Sequence, residues 1–386
     1  MSDRPSFDGG LRRQARCPGP CDTSHPAALA FHEGLGEEQL RRWAWHSNLH
    51  ALPRRISLYV GVPYCFGPCF YCGGGSEPSR DRARGERYVE HVLQELRLTA
   101  PLFDTRREVT QLRLGGGAAN FLDPPELSRL LAALQRSFRL SQAPERDFSI
   151  ELDPRHVRTG DVAALAQLGF NRVSLGVHDF DGPVQRAINR VHSLPETLAV
   201  IDRCRREGLR SVNLALIYGL PLQTIDGFSR TLDKVIAARP ERVAIHGYAH
   251  APIPARAGHQ AAPLPGPEGR LELLSLALER LSAAGYRHVG PDQFALPDDD
   301  LVRAAASGHL DHSFVGLLTH AKTDLIGLGP GAISHIGRSI TQNHGEIAEW
   351  EAALRENHIP VARGLELEED ELPRAAPDPA CEAALA

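Results

Sequence analysis

Methionine occurs once in the 386 residues, at the first position, and lysine twice, at Lys234 and Lys322. The 43 basic side chains are therefore almost all arginine. This reads as a coding bias toward Arg and Ala and carries no functional weight alone. Arginine forks do suit carboxylates, so an anionic substrate is compatible with it. No basic excess exists: 48 acidic residues outnumber the basic ones, for a formal net charge of −5. That leaves no global footprint for nucleic acid. No apolar run approaches the roughly 18 residues of a membrane helix. Met1 to Gly10 lacks the apolar core of a signal peptide, so the sequence reads as cytoplasmic.

Hydrophobic residues make up 42% of the chain and charged residues 24%, ordinary values for a globular protein with a large core. At about 150 residues per domain the length allows two or three domains, although a barrel uses more than about 200 alone. Residues 1–50 are rich in Gly, Pro and His, with Trp43 and Trp45 among them, and read as an irregular N-terminal arm. From residue 56 the chain alternates. Strands are predicted at 56–60, 111–114, 148–152, 172–175, 212–217 and 242–245. Helices are predicted at 88–98, 124–138, 161–168, 183–190, 195–207 and 226–238.

Six strand–helix units predict an α/β fold with a parallel sheet and helices outside, a partial (β/α)6 TIM-like barrel over 51–250. An α+β C-terminal extension follows over 251–368, with a helix at 268–285 and short strands near Leu325 and Ile333. Residues 369–386 form an acidic, then Pro- and Ala-rich tail expected to fray. In such barrels chemistry gathers at the C-terminal strand ends. The cysteines after strand one, Gly115-Gly-Gly117 after strand two and Glu151 in strand three all fall there.

Seven cysteines stand at 17, 21, 65, 69, 72, 204 and 381, and three of them crowd into eight residues. Cys65, Cys69 and Cys72 on one loop can hold three irons of a four-iron cluster, leaving the fourth iron open for a ligand. The competing reading is structural zinc, which wants a fourth ligand; none lies close, since His91 falls inside a predicted helix. Cys17 and Cys21 are either a second metal or redox pair or two incidental thiols on a turn. Cys204 reads as packed and Cys381 as inert. His178, His246 and His250 sit near strand ends, as catalysts or as hydrogen-bonded core histidines. Glu151 is either a ligand contact or a buried ion-pair partner, of Arg155 or Arg172. Gly327-Leu-Gly-Pro-Gly331 reads as a turn, because no P-loop lysine follows.

The spacing Cys-x3-Cys-x2-Cys, with an aromatic before the third Cys, resembles the radical S-adenosylmethionine (SAM) superfamily. Further runs resemble the oxygen-independent coproporphyrinogen III oxidase family within it: Ser149-Ile-Glu-Leu-Asp-Pro-Arg155, Gly169 to Phe180, Val184 to Arg190, Leu216 to Pro221, Gly247-Tyr-Ala-His250, Asp292 to Asp299 and Thr323 to Gly329. The resemblance spans roughly residues 20–368.

It implies a radical SAM oxidoreductase of haem biosynthesis. Such an enzyme converts two propionates of coproporphyrinogen III to vinyl groups with loss of carbon dioxide, using a 5′-deoxyadenosyl radical. It implies a [4Fe-4S] cluster on Cys65, Cys69 and Cys72, and a cluster-bound SAM at Tyr59, Gly116, Glu151 and Ile333, with Tyr59 and Glu151 catalytic. It also implies a second SAM at Tyr71, Gly117, His178, Arg190 and Ala249. Here the chain departs from the family: Tyr71 replaces a Phe, His178 a Gln, Ala215 an Asp, and Ala118-Ala119 a Thr-Pro. Gly61 stands for a His and Gly74 for a non-ligand Cys. The family's C-terminal helical cover begins near the point where this sequence turns acidic. The implied partners are an anionic tetrapyrrole and an unidentified electron donor, with no nucleic acid or membrane, and the protein is expected to be a monomer. Two other readings stay open: a divergent radical SAM enzyme on another tetrapyrrole or small substrate, and a non-catalytic tetrapyrrole-binding protein.

Overall fold

The computed structural model describes residues 31–49, 53–72, 76–248 and 262–367. The readings made for Cys17, Cys21, Gly74, Ala249, His250, Cys381 and the tail from 369 lie outside these residues.

The first described helix, α1 (Glu37–Asn48), lies where the sequence showed no regular pattern. Leu40, Ala44 and Ser47 share one face at helical spacing and are buried, and Glu37 and Glu38 occupy the first turn, where the helix dipole favours acids. So short a stripe, set among glycines and histidines, carries too little periodicity to stand out.

Strands and helices then alternate. The strands are β1 (Ile56–Val62), β2 (Glu108–Gly116), β3 (Asp147–Leu152), β4 (Arg172–His178), β5 (Ser211–Tyr218) and β6 (Arg242–Gly247). The crossovers carry α2 (Ala83–Thr99), α3 (Pro124–Ser137), α4 (Asp161–Gln167), α5 (Gly182–Ala187), α6 (Leu194–Arg206) and α7 (Ile225–Ala238). The six strands pair in parallel in chain order, as the alternation predicts. β1 is buried along nearly its whole length, as a parallel strand covered on both faces should be. Local signals place the helix starts. Asp123 and Glu126 at α3, and Ser193 and Glu196 at α6, close reciprocal capping boxes, each with a proline in the first turn.

The remainder contains α8 (Pro267–Ala283), β7 (Arg287–Val289), β8 (Gln293–Ala295), α9 (Asp300–Ala306), β9 (Asp311–Ser313), β10 (Gly316–Leu318), β11 (Asp324–Leu328), β12 (Ile333–Ile336), β13 (Ser339–Asn343), α10 (Ile347–Arg355) and β14 (Val361–Glu366). β11 adds in parallel beside β1, so the parallel run has a seventh strand. β12, β13 and β14 continue antiparallel beyond it. At the other edge β8 lies antiparallel on β6. The main sheet runs β7-β8-β6-β5-β4-β3-β2-β1-β11-β12-β13-β14. Among the described residues no strand pairing joins its two ends.

Buried charges tie the extension to the barrel. Arg107, just before β2, donates to Asp324 of β11 (2.5 Å), to Ser47 of α1 (3.0 Å) and to the Arg54 carbonyl (2.7 Å). Glu95 of α2 accepts from Gly329 N–H (2.8 Å), Asn343 Nδ2 (2.6 Å) and Trp350 Nε1 (3.1 Å). Burial pushes its carboxyl up to about 7 against these donors. A buried acid with a raised value is protonated in the fold before it is in the unfolded chain. It therefore costs the fold nothing below its ordinary pKa, and the cost grows as pH climbs to about 7. Histidines held neutral, such as His192 at about 4, act in the opposite direction. The expected result is a difference: unfolding free energies of wild type and Glu95→Gln, from urea titrations, should converge toward pH 4 and shift relative to each other by on the order of 3 kcal/mol between pH 4 and 8. A constant offset across that range would refute the assignment.

Candidate active site

The cysteine loop leaves the C-terminal end of β1 and is pinned from three sides. The Gly117 and Ala118 N–H groups donate to the carbonyls of Val62 (2.7 Å) and Tyr64 (3.0 Å). Glu77 and Ser79 N–H donate to the carbonyls of Pro63 (2.6 Å) and Cys65 (2.8 Å). Phe70 N–H donates to the Ile188 carbonyl (3.0 Å), and Asn189 Nδ2 to that of Pro68 (2.7 Å). Gly117 is required here, because a Cβ on it would stand 2.4 Å from the Tyr64 carbonyl oxygen. Gly116 has φ +100°, a backbone region that favours glycine, and a Cβ there would lie 3.2 Å from the Tyr59 hydroxyl.

The loop opens on a cavity of about 870 Å³ that runs down the barrel. Cys65, Cys69 and Cys72 all line it. Arg190 Nη1 stands 3.5 Å from the Cys69 sulfur, placing a cation beside it. Burial raises the Cys65 thiol, as expected of a thiol that carries a proton until a metal replaces it. Among the described residues no three His, Cys, Asp or Glu side chains converge on one point fit for a single ion. A four-iron cluster asks for a wider arrangement, since each thiolate takes a different iron. The donor set on this loop thus fits a cluster, and the resident cation fits its negative charge.

Glu151, projecting from β3, lies over Gly115, whose Cβ would fall 2.8 Å from the carboxyl carbon. Its ion-pair partner is Arg113 on β2, neither Arg155 nor Arg172. Arg113 Nε donates to Oε1 at 3.1 Å and Nη2 donates more closely to the same oxygen, which leaves Oε2 outside that pair. Arg155 instead pairs with Asp153 (2.6 Å), and Arg172 pairs with Asp147 (3.3 Å) and Asp300 at the other end of the barrel. Register explains this: Arg113 and Ser149 are partners across β2 and β3, so Glu151 sits two residues on and on the same face. Tyr59 on β1 joins the group. Burial first, then the Glu151 charge, pushes its hydroxyl up to about 12 against Arg113, so it stays a donor. Ile333, at the start of β12, lines the same cavity, and its backbone packs against Gly327, where a Cβ would meet the Ile333 carbonyl oxygen at 2.5 Å.

Of the residues assigned to a second SAM, Tyr71, Gly117, His178 and Arg190 line the cavity, Gly117 beneath the cysteine loop beside Gly116. Tyr71 and His178 meet edge to face with centroids 4.9 Å apart. The Arg190 guanidinium is already engaged, with the Gly176 carbonyl (2.6 Å), Asp153 (3.4 Å) and Cys69. Burial, and then Arg190, holds His178 well below its ordinary pKa, so the ring is neutral. Its Nδ1 is buried with no partner among the described residues, which suits a polar ligand in this corner. Ala215 lines the cavity here without a charge.

Arg113, Asp153 and Asp292 went unassigned in the sequence. Strand parity places Arg113 with Gln111 on the same face of β2, on either side of Leu112. Asp292 precedes β8 and accepts from His246 Nδ1 at 2.8 Å. Burial disfavours the imidazolium, yet the bond to Asp292 and its charge outweigh this and lift His246 above its ordinary value.

Replacing Glu151 by Gln keeps the shape and removes the charge that Arg113 meets. SAM affinity is expected to fall by roughly ten- to a hundredfold, the worth of a charged hydrogen bond. Equilibrium dialysis with labelled SAM would measure it, and an unchanged dissociation constant would remove Glu151 from the binding set.

A parallel run of strands alternating with helices, with a three-cysteine loop at its strand ends, defines the radical SAM class, and the family model for the radical SAM superfamily matches residues 59–235. The oxygen-independent coproporphyrinogen III oxidase of Pseudomonas aeruginosa is 40% identical over 385 residues, covering 97% of this chain and 82% of that protein. The enzyme of that name from Escherichia coli is 36% identical over 368 residues, covering 95% and 79%. The solved structure of coproporphyrinogen III oxidase (HemN) from Escherichia coli superposes with a TM-score of 0.86, covering 92% of this chain and 80% of that one. This chain belongs to the oxygen-independent coproporphyrinogen III oxidase family. It is a radical SAM enzyme, and its family uses a [4Fe-4S] cluster and S-adenosylmethionine. Among the described residues no helix is long and apolar enough to cross a membrane.

Proposed function

We propose that this protein converts propionate side chains of coproporphyrinogen III to vinyl groups without oxygen, in haem biosynthesis. The observation that carries the reading is the convergence of the cysteine loop, the Tyr59–Glu151–Arg113 group and the Tyr71–His178–Arg190 corner on one barrel cavity.

When bound, the cluster and SAM supply one-electron reduction and hydrogen-atom abstraction at a substrate carbon. The chain's own residues do the rest. Cys65, Cys69 and Cys72 hold the cluster at the mouth. Arg190, anchored by Asp153 and the Gly176 carbonyl, balances thiolate charge there beside Cys69. Glu151, anchored by Arg113, offers a carboxylate to the cationic and hydroxyl groups of SAM, and Tyr59 stands beside it as a proton-bearing donor. Gly116 and Gly117 let ligand and loop approach the strand ends where a side chain would intrude. A second SAM would occupy the corner of His178, whose orphan Nδ1 supplies a polar contact near Ala215.

The test is anaerobic. Reconstituted protein is given reductant, SAM and coproporphyrinogen III, and product mass is followed. Loss of carbon dioxide from two side chains is the expected outcome. Formation of 5′-deoxyadenosine with unchanged porphyrinogen would overturn the substrate assignment while leaving the radical machinery in place. An anionic tetrapyrrole as substrate and an external electron donor follow from this reading; a monomer is its simplest assembly.

A further inference from the structure

Within the cavity the arginines are matched to acids or carbonyls. Arg113 is taken by Glu151 and the Val315 carbonyl, and Arg190 by Asp153 and Gly176. At the far end Arg172 pairs with Asp147, and Arg242 with Asp299. His246 is different. It sits in β6 with 45% of its side-chain surface open, and that opening faces the cavity. Nδ1 is held by Asp292 at 2.8 Å, which leaves Nε2 as the ring nitrogen for a ligand.

A purely structural role explains this pair poorly. The strand connection it would make is already made by the backbone, where Ile245 N–H donates to the Asp292 carbonyl (2.8 Å) and β8 pairs with β6. A pair serving only to hold strands together has no need to open onto a cavity. An imidazole whose Nδ1 proton is fixed by a carboxylate has one tautomer, and on protonation its Nε2–H points the same way. The site also stands near the Glu151–Arg113 pair, close enough for both charges to act on the ring.

We propose that His246, oriented by Asp292, is the contact for a carboxylate of the substrate and sets the acid side chain beside the SAM end of the cavity. This rests on the tetrapyrrole reading above. His246 touches the substrate; Asp292 is a positioning residue. The substrate carboxylate is a second anion for the imidazolium, so its binding should weaken as pH rises through the raised value of His246. The charges that face the ring are Asp292 and Glu151, which favour the cation, and Arg113, which opposes it; His178 feels the same ring, and His312 stands against Asp292.

The experiment is equilibrium binding of coproporphyrin III, read by its fluorescence, to cluster-loaded protein, with the tetramethyl ester as the probe lacking carboxylates. Iron content and the visible spectrum of each variant report its fold. His246→Gln should bind the free acid roughly ten- to a hundredfold more weakly and the ester no differently. Asp292→Asn should keep binding at low pH but lose it at a lower pH than wild type, because the charge that lifts His246 is gone. Equal affinity of His246→Gln and wild type for the acid would overturn the assignment, as would equal weakening for acid and ester. Wild-type turnover is measured in parallel. A wild type that neither binds nor converts the tetrapyrrole overturns the functional reading, whereas one that does both beside an unaffected His246→Gln overturns only this assignment.

Discussion

Cys69→Ala is expected to abolish vinyl product, with a loss of at least about a thousandfold, because the cofactors and not the side chains carry the hard chemistry. The sample should fold and should bind less iron than wild type after reconstitution, with a weaker visible absorbance. Cys69 is the informative choice among the three. Its sulfur lies 3.5 Å from Arg190 Nη1, and its backbone carbonyl accepts from Cys72 N–H at 3.3 Å. The alanine keeps the backbone turn and removes only the sulfur, so a loss of iron reports ligation and not collapse of the loop. A Cys69→Ala sample with the full iron complement and wild-type turnover would rule out the assigned ligand set. Cys204 supplies the control. It is buried on α6, where burial pushes its thiol up to about 12, and Cys204→Ala should leave iron content unchanged.

The second large effect concerns the fold. Asp324→Ala is expected to cost about 3–5 kcal/mol, because it strands the Arg107 guanidinium in a site with almost no solvent. The aspartate also accepts from Ser47 Oγ and from Gly337 N–H (3.4 Å), so its loss leaves several buried donors unmet at once. Urea midpoints would measure the change. Arg41→Ala breaks an exposed pair with Glu37 one helical turn away and should hardly move the midpoint. Similar shifts for the two would mean that the Arg107 cluster is not what holds α1 and β11 to the barrel. A large stability loss with normal iron content in the folded fraction would separate this cluster from the active site.

Much of the architecture was written in local pattern. The six parallel strands, with ends off by a few residues, follow from short apolar runs between helical stretches, and capping boxes at Asp123 and Ser193 mark helix starts. The cysteine loop was legible because its three cysteines lie within eight residues of one another. Glu151 could be placed on a strand end but not paired, since its partner Arg113 is 38 residues away and depends on strand register. α1 escaped notice because its buried stripe is short. The parallel docking of β11 beside β1 escaped because nothing in its five residues says which strand, more than 260 positions earlier, it will join.

The sequence by itself determined the alternation that makes the barrel, the three thiols and their spacing, and the glycines that bring the loop close to the strand ends. These depend on neighbours within a few residues, where hydrophobic period, caps and turn residues act directly. Only the tertiary structure decided that Arg113 and not Arg155 or Arg172 meets Glu151, that Arg190 lies against Cys69, and that His246 is aimed by Asp292 into the cavity. Each of those pairs joins distant segments, and a pairwise charge interaction is set by distance and burial, which exist only once the strands have taken their register.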